Sequence, residues 1–101
     1  MNNATGNRER LPCIVIGGGH NGLTCAGYLA RSGRDVLVLE AQERLGGLAV
    51  TREFAPGFRV SAGAHLLHQM PERVIADLAL EKHGLRWAAQ RLASVALGGP
   101  P

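Results

Sequence analysis

The densest cluster of chemically suggestive residues is the run Gly17-Gly18-Gly19-His20-Asn21-Gly22, which satisfies the pattern G-x-G-x-x-G. Each required glycine has a separate mechanical duty. Gly17 permits a tight turn out of a strand, Gly19 removes the Cβ that would keep a pyrophosphate off the backbone, and Gly22 lets a helix pack closely on a sheet. Ala26 extends that close contact one turn later. The amides of His20, Asn21 and Gly22 would then lie at a helix N-terminus, where unpaired N–H groups and the positive dipole end attract a diphosphate without a basic side chain. Glu40 follows Gly22 by 18 residues, near the spacing of about 20 at which a carboxylate accepts hydrogen bonds from a dinucleotide's ribose hydroxyls. An acidic residue there disfavours a 2′-phosphate, so the expected ligand carries a ribose with both hydroxyls free.

Other reactive side chains form no comparable pattern. His65 and His68 are three apart, but no third ligand lies at a recognisable spacing, so no metal site is expected. Cys13 and Cys25 read as small buried hydrophobes rather than a disulfide. No Cys-x4-Cys pair follows the glycine motif, so thiol redox chemistry is not expected. No residue presents itself as a catalytic acid, base or nucleophile.

The glycine motif works only if flanking elements hold it. Cys13-Ile14-Val15-Ile16 is an apolar, β-branched run ending at the glycines, as a buried strand would. Leu23, Ala26, Leu29 and Ala30 follow at helical spacing, and Gly33 can take the left-handed position that closes a helix. Val36-Leu37-Val38-Leu39 is apolar without alternation, which predicts a parallel strand covered on both faces. Strand, helix and strand make a right-handed βαβ unit. Residues 41–49 carry Gly46-Gly47 and read as a loop. Residues 51–67 hold short extended pieces around the Pro56-Gly57 turn signal. Residues 71–80 read as a helix with Pro71 in its first turn and Val74, Ile75 and Leu78 on its core face. A last strand is expected around 94–97. These readings divide the chain into a polar leader (1–10), a βαβ dinucleotide-binding unit with its Gly-Gly loop (11–67), and a helix with a truncated tail of the same domain (68–101).

The 101 residues suffice for one small domain, and 46% hydrophobic against 19% charged residues is a globular composition. Aromatics are only 4%, so aliphatic side chains must supply the packing. The net charge of +3 comes from scattered arginines rather than a block, which gives no support to nucleic-acid binding. Residues 1–10 lack the apolar centre of a secretory signal, and no apolar stretch reaches membrane-spanning length, so a cytoplasmic protein without a transmembrane segment is expected.

Residues 14–51, with Gly17-x-Gly19-x-x-Gly22-x-x-x-Ala26, Val36-Leu37-Val38-Leu39-Glu40 and Arg44-Leu45-Gly46-Gly47-Leu48-Ala49-Val50-Thr51, resemble the N-terminus of FAD-dependent phytoene desaturase-like oxidoreductases. These belong to the wider flavin amine oxidase and carotenoid desaturase group. The glycine pair six residues after Glu40 is the more specific half of the match, since ordinary NAD-binding Rossmann units lack it. Ala55-Pro56-Gly57-Phe58-Arg59-Val60-Ser61-Ala62-Gly63-Ala64-His65 extends the resemblance, which covers residues 12 to about 90. It implies FAD as cofactor, bound by Gly17, Gly18, Gly19, His20, Asn21, Gly22, Glu40, Gly46 and Gly47, with Arg44 reaching the adenosine or diphosphate. Paired glycines would let a second loop close over the cofactor without side-chain clash. Leu48 stands where amine oxidases often carry Arg, and Ser61 where many relatives carry an acid. Family members are several-fold longer, with a substrate domain and a C-terminal return to the FAD that these residues do not include.

The expected fold is therefore α/β, a partial Rossmann-type FAD-binding unit with parallel strands that is incomplete without further domains or a partner chain. The resemblance implies hydride transfer from an apolar small-molecule substrate to FAD in a complete protein, with the 101 residues alone inactive. Two other readings stay open: an NAD-dependent dehydrogenase unit, which assigns no function to Gly46-Gly47, and a non-catalytic nucleotide-binding or partner-binding fragment.

Overall fold

The structure is a computed structural model, and it describes residues 12–64, 66, 67, 69–91, 93 and 98. The polar leader, both histidines of the 65/68 pair and the strand expected at 94–97 lie outside the described residues.

The first apolar run forms β1 (Cys13–Ile16) and the second forms β2 (Val36–Leu39), joined by α1 (His20–Arg31). The strands pair in parallel, with Cys13 opposite Val36 and Ile16 opposite Leu39. Backbone bonds from Cys13 N–H to Asp35 C=O (2.8 Å) and from Gly17 N–H to Leu39 C=O (2.7 Å) close the two ends of the ladder. The second bond carries the sheet register directly into the glycine turn. α1 ends at Arg31 with Ser32 as its C-cap, and Gly33 follows at φ +80°, the conformation glycine takes without a Cβ penalty.

After β2 the chain crosses to a single 3-10 turn (Gly47–Ala49) and enters an antiparallel hairpin, β3 (Thr51–Ala55) and β4 (Phe58–Ser61). The Pro56-Gly57 signal marks the hairpin turn, with Gly57 at φ +81° donating its N–H to the Glu53 carboxylate at 2.9 Å. The bonds Ala62 N–H to Val50 C=O and Ala64 N–H to Leu48 C=O tie the end of β4 back to the 3-10 turn.

The helix expected over 71–80 is shorter than its apolar spacing suggests. α2 covers Glu72–Asp77, and Pro71 caps it from an extended conformation instead of forming its first turn. Ala79 sits at φ +50° and the Leu80 N–H closes on the Ile75 carbonyl at 3.0 Å, which ends the helix while the apolar pattern continues. α2 is docked on α1 by chemistry as well as packing. Leu78 lies against Gly27, where an added Cβ would approach to 3.1 Å. The Tyr28 hydroxyl donates to Asp77 at 2.9 Å, and Arg31 and Arg73 flank the same carboxylate, each at 3.3 Å. The Tyr28 hydrogen bond, with the two arginines, holds the Asp77 carboxyl below the usual range, while partial burial and its bond to Asp77 push the Tyr28 phenol up.

The second face of the β1–β2 sheet departs from expectation. Cys13, Val15, Val36 and Val38 are half-buried beneath α1, whereas Ile14, Ile16, Leu37 and Leu39 on the opposite face are exposed, Ile16 to 86%. Four successive apolar residues do indicate a strand with two apolar faces, but one α1 can cover only one of them. Cys25 corrects the reading of both cysteines as buried: it is exposed, four residues after the equally exposed Asn21 on the outer side of α1. Both cysteines are free thiols. No described helix is long and apolar enough to cross a membrane.

Candidate dinucleotide site

The C-terminal ends of β1 and β2 and the N-terminal end of α1 meet at the glycine run. Gly17 leaves β1 at φ +97°, a conformation L side chains rarely adopt, and that turn reverses the chain into α1. Gly22, in the first turn of α1, faces the Gly17 carbonyl so closely that any Cβ there would overlap it, with Val15 Cγ1 next at 3.5 Å. The close approach at Gly22 is thus first to the turn itself and only secondarily to the sheet. Gly19 caps α1 at φ −76°, so the first-turn amides, which have no acceptor within the helix, fan out beyond it. The side chains of His20 and Asn21 are exposed.

Glu40 stands directly after β2 and turns back on the glycine run. Its Oε2 accepts the Gly18 N–H at 2.6 Å and its Oε1 accepts the Gln42 N–H at 2.9 Å. The amides of Gln42, Gly18 and Ala41 together hold its carboxyl below the usual glutamate range, against a smaller opposing effect of desolvation. An ionised carboxylate has about four lone-pair sites, so acceptor capacity remains on Glu40 beyond these amides.

The second glycine pair is part of the same constellation. The Gly46 N–H donates to the Gly18 carbonyl at 2.7 Å, and Gly46 forms a parallel bridge with Gly19. Gly46 and Gly47 have φ of +122° and +57°, and a Cβ on Gly47 would stand 3.1 Å from the Gly19 Cα. The positive φ of both residues favours glycine, and at Gly47 a Cβ would also press on the first glycine loop, before any ligand is considered. Arg44 is exposed and makes no ion pair or side-chain hydrogen bond among the described residues. Leu48, where amine oxidases often carry arginine, lies instead over Gly63: a Cβ on that glycine would stand 3.1 Å from both Leu48 Cβ and Leu48 Cδ2. Sequence reasoning did not single out Leu45, whose side chain lies over Gly18; an aliphatic residue directly before a glycine pair in a polar loop was the available signal. Among the described residues no three His, Cys, Asp or Glu side chains gather as a metal site would require.

Residues 15–81 match the model of the NAD(P)-binding Rossmann-like domain. The chain belongs to that family. It is 47% identical over 79 residues to the pyridine nucleotide-disulfide oxidoreductase domain-containing protein 2 of Mus musculus, a match covering 78% of the chain and 14% of the relative. One of the limonene dehydrogenase subunits of Castellaniella defragrans is 47% identical over 79 residues, covering 75% of the chain and 14% of the relative. The (S)-6-hydroxynicotine oxidase of Paenarthrobacter nicotinovorans is 44% identical over 79 residues, covering 75% and 18% respectively. The chain thus spans less than one fifth of the length of each of these relatives. Membership in the Rossmann-like family agrees with the parallel strand pair and its connecting helix, and the names of these relatives are those of oxidoreductases.

Proposed function

We propose that these residues form the ADP-end cradle of an FAD-dependent oxidoreductase of the desaturase or dehydrogenase type. The observation that carries this reading is the docking of two glycine loops: Gly46 bonds and bridges to Gly18 and Gly19 beside the N-terminus of α1.

The residues fit the ADP portion of FAD. The α1 amides offer donors to a diphosphate without a competing side chain at Gly17 or Gly19, and Glu40 keeps acceptor capacity for a ribose hydroxyl. Arg44, exposed on the same crossing loop, supplies a cation that can swing toward the adenosine or diphosphate. FAD, when bound, supplies the hydride acceptor; the chain binds and orients it. An apolar substrate is supported by the names of the limonene dehydrogenase relative and of a Danio rerio relative, inactive all-trans-retinol 13,14-reductase, 41% identical over 73 residues. That substrate would be enclosed by parts of a complete protein beyond this segment. The family's own description favours NAD(P) as the second reading. Flavin fluorescence during titration of the 101-residue chain tests the first: weak but saturable binding is expected, and no saturable change would refute it.

A further inference from the structure

Gly18 is the one buried residue among those described. Two side chains lie over it where a Cβ would project. A Cβ built on Gly18 would overlap Leu45 Cδ2 and would stand 3.2 Å from Glu40 Oε2 and 3.3 Å from Glu40 Cβ. Beneath that cover both backbone polar groups of Gly18 are engaged, the N–H by Glu40 and the C=O by the Gly46 N–H. Gly18 is therefore the node at which the first glycine turn, the end of β2 and the second glycine loop are joined.

Leu45 holds a special place at this node because it is covalently next to Gly46. Its side chain touches Gly18 from above while the following amide bonds to the Gly18 carbonyl, so the leucine and the amide grip the same residue from two directions. We propose that Leu45 is a positioning residue of the dinucleotide site, clamping Gly18 so that the Glu40 carboxylate and the Gly46–Gly47 loop are set before a cofactor arrives. This rests on the dinucleotide reading for its functional consequence, not for the clamp itself. Leu45 is 56% exposed, so truncating it opens no core cavity, and a general loss of fold is not the expected result.

The test compares Leu45→Ala and Leu45→Met with the unaltered 101-residue chain, using amide hydrogen exchange without ligand and then ADP titration. In Leu45→Ala the Gly18 and Gly46 amides should exchange several-fold faster, the scale of losing part of a half-exposed aliphatic contact. Amides in the middle of α1 and in the β3–β4 hairpin should keep their rates, ADP affinity should fall several-fold, and Leu45→Met should restore both readouts. Unchanged exchange at Gly18 and Gly46, or equal acceleration throughout α1, overturns the role of Leu45. Failure of the unaltered chain to bind ADP overturns the dinucleotide reading instead, and leaves the exchange comparison to decide the clamp.

Discussion

Gly19 and Gly22 look equivalent in the glycine pattern, but alanine at the two positions should have opposite signatures. At Gly19 the backbone is at φ −76°, which any residue accepts, and an added Cβ would meet only the Gly47 Cα at 3.9 Å, an ordinary contact. Gly19→Ala should therefore leave the ligand-free chain folded. Its methyl group occupies the approach to the α1 amides, so the penalty appears only with a diphosphate present. Inserting a methyl group into a close contact costs about 1–3 kcal/mol, or about 5- to 150-fold in affinity. At Gly22 the added Cβ would overlap the Gly17 carbonyl, a backbone atom fixed by the turn. The helix-propensity gain from glycine to alanine is about 1 kcal/mol at most, and it opposes an overpacking cost of about 1–3 kcal/mol or more. The net effect of Gly22→Ala is a loss of stability with or without ligand. Thermal melts by circular dichroism, paired with ADP titration calorimetry, separate the two outcomes. A Gly19→Ala chain that binds ADP as tightly as the unaltered one, or melts as low as Gly22→Ala, would show that the two glycines do not divide the work in this way.

Glu40→Ala removes the acceptor for Gly18 and for ribose hydroxyls, and ADP binding should weaken measurably by the same calorimetry. The Glu40 carboxyl is held low in the folded chain, so its contribution to the loop is present above the unfolded value and is lost as pH falls through the lower folded value. Amide shifts of Gly18 and Gln42 followed by NMR should consequently hold to a pH below the usual glutamate range, and a midpoint at the ordinary value would contradict the two hydrogen bonds. The bare sheet face predicts concentration-dependent association of the 101-residue chain, and Ile14→Lys with Leu37→Lys, on the same face away from the glycine run, should reduce it in sedimentation velocity. Replacing Gly46 and Gly47 with alanine should disorder the second loop even without ligand, because both have positive φ; unchanged amide shifts at Gly18 and Gly19 would contradict the docking of the loops.

The βαβ unit was legible because its cues are local. The β-branched run before Gly17, the helical spacing from Leu23, the closing Gly33 and the Pro56-Gly57 turn each act within a few residues, and the elements fall where these cues put them. Cover for the far side of β1 and β2 was not legible, since Val36-Leu37-Val38-Leu39 has two apolar faces whatever lies against them. The length of α2 depends on a reversal at Ala79, a residue type that carries no stop signal. Within the site, the Gly17 and Gly22 geometry follows from the pattern, but the direct bond between Gly18 and Glu40 and the cover by Leu45 join residues far apart in the chain, and no periodicity encodes them. The glycine pair after Arg44 stands out in the sequence through its resemblance to a flavoprotein motif, while its positive φ values and its bridge to Gly19 emerge only from the folded backbone.

Whether the two docked glycine loops and Glu40 receive the ADP portion of FAD is tested most directly by competition titration. The 101-residue chain, loaded with FAD and followed by flavin fluorescence, is challenged separately with ADP, NAD and NADP. ADP should displace FAD from a single site, Glu40→Ala should weaken both, and NADP should compete poorly because its 2′-phosphate meets the Glu40 carboxylate. Tight binding of NADP with no displaceable FAD would contradict an FAD cradle at this site.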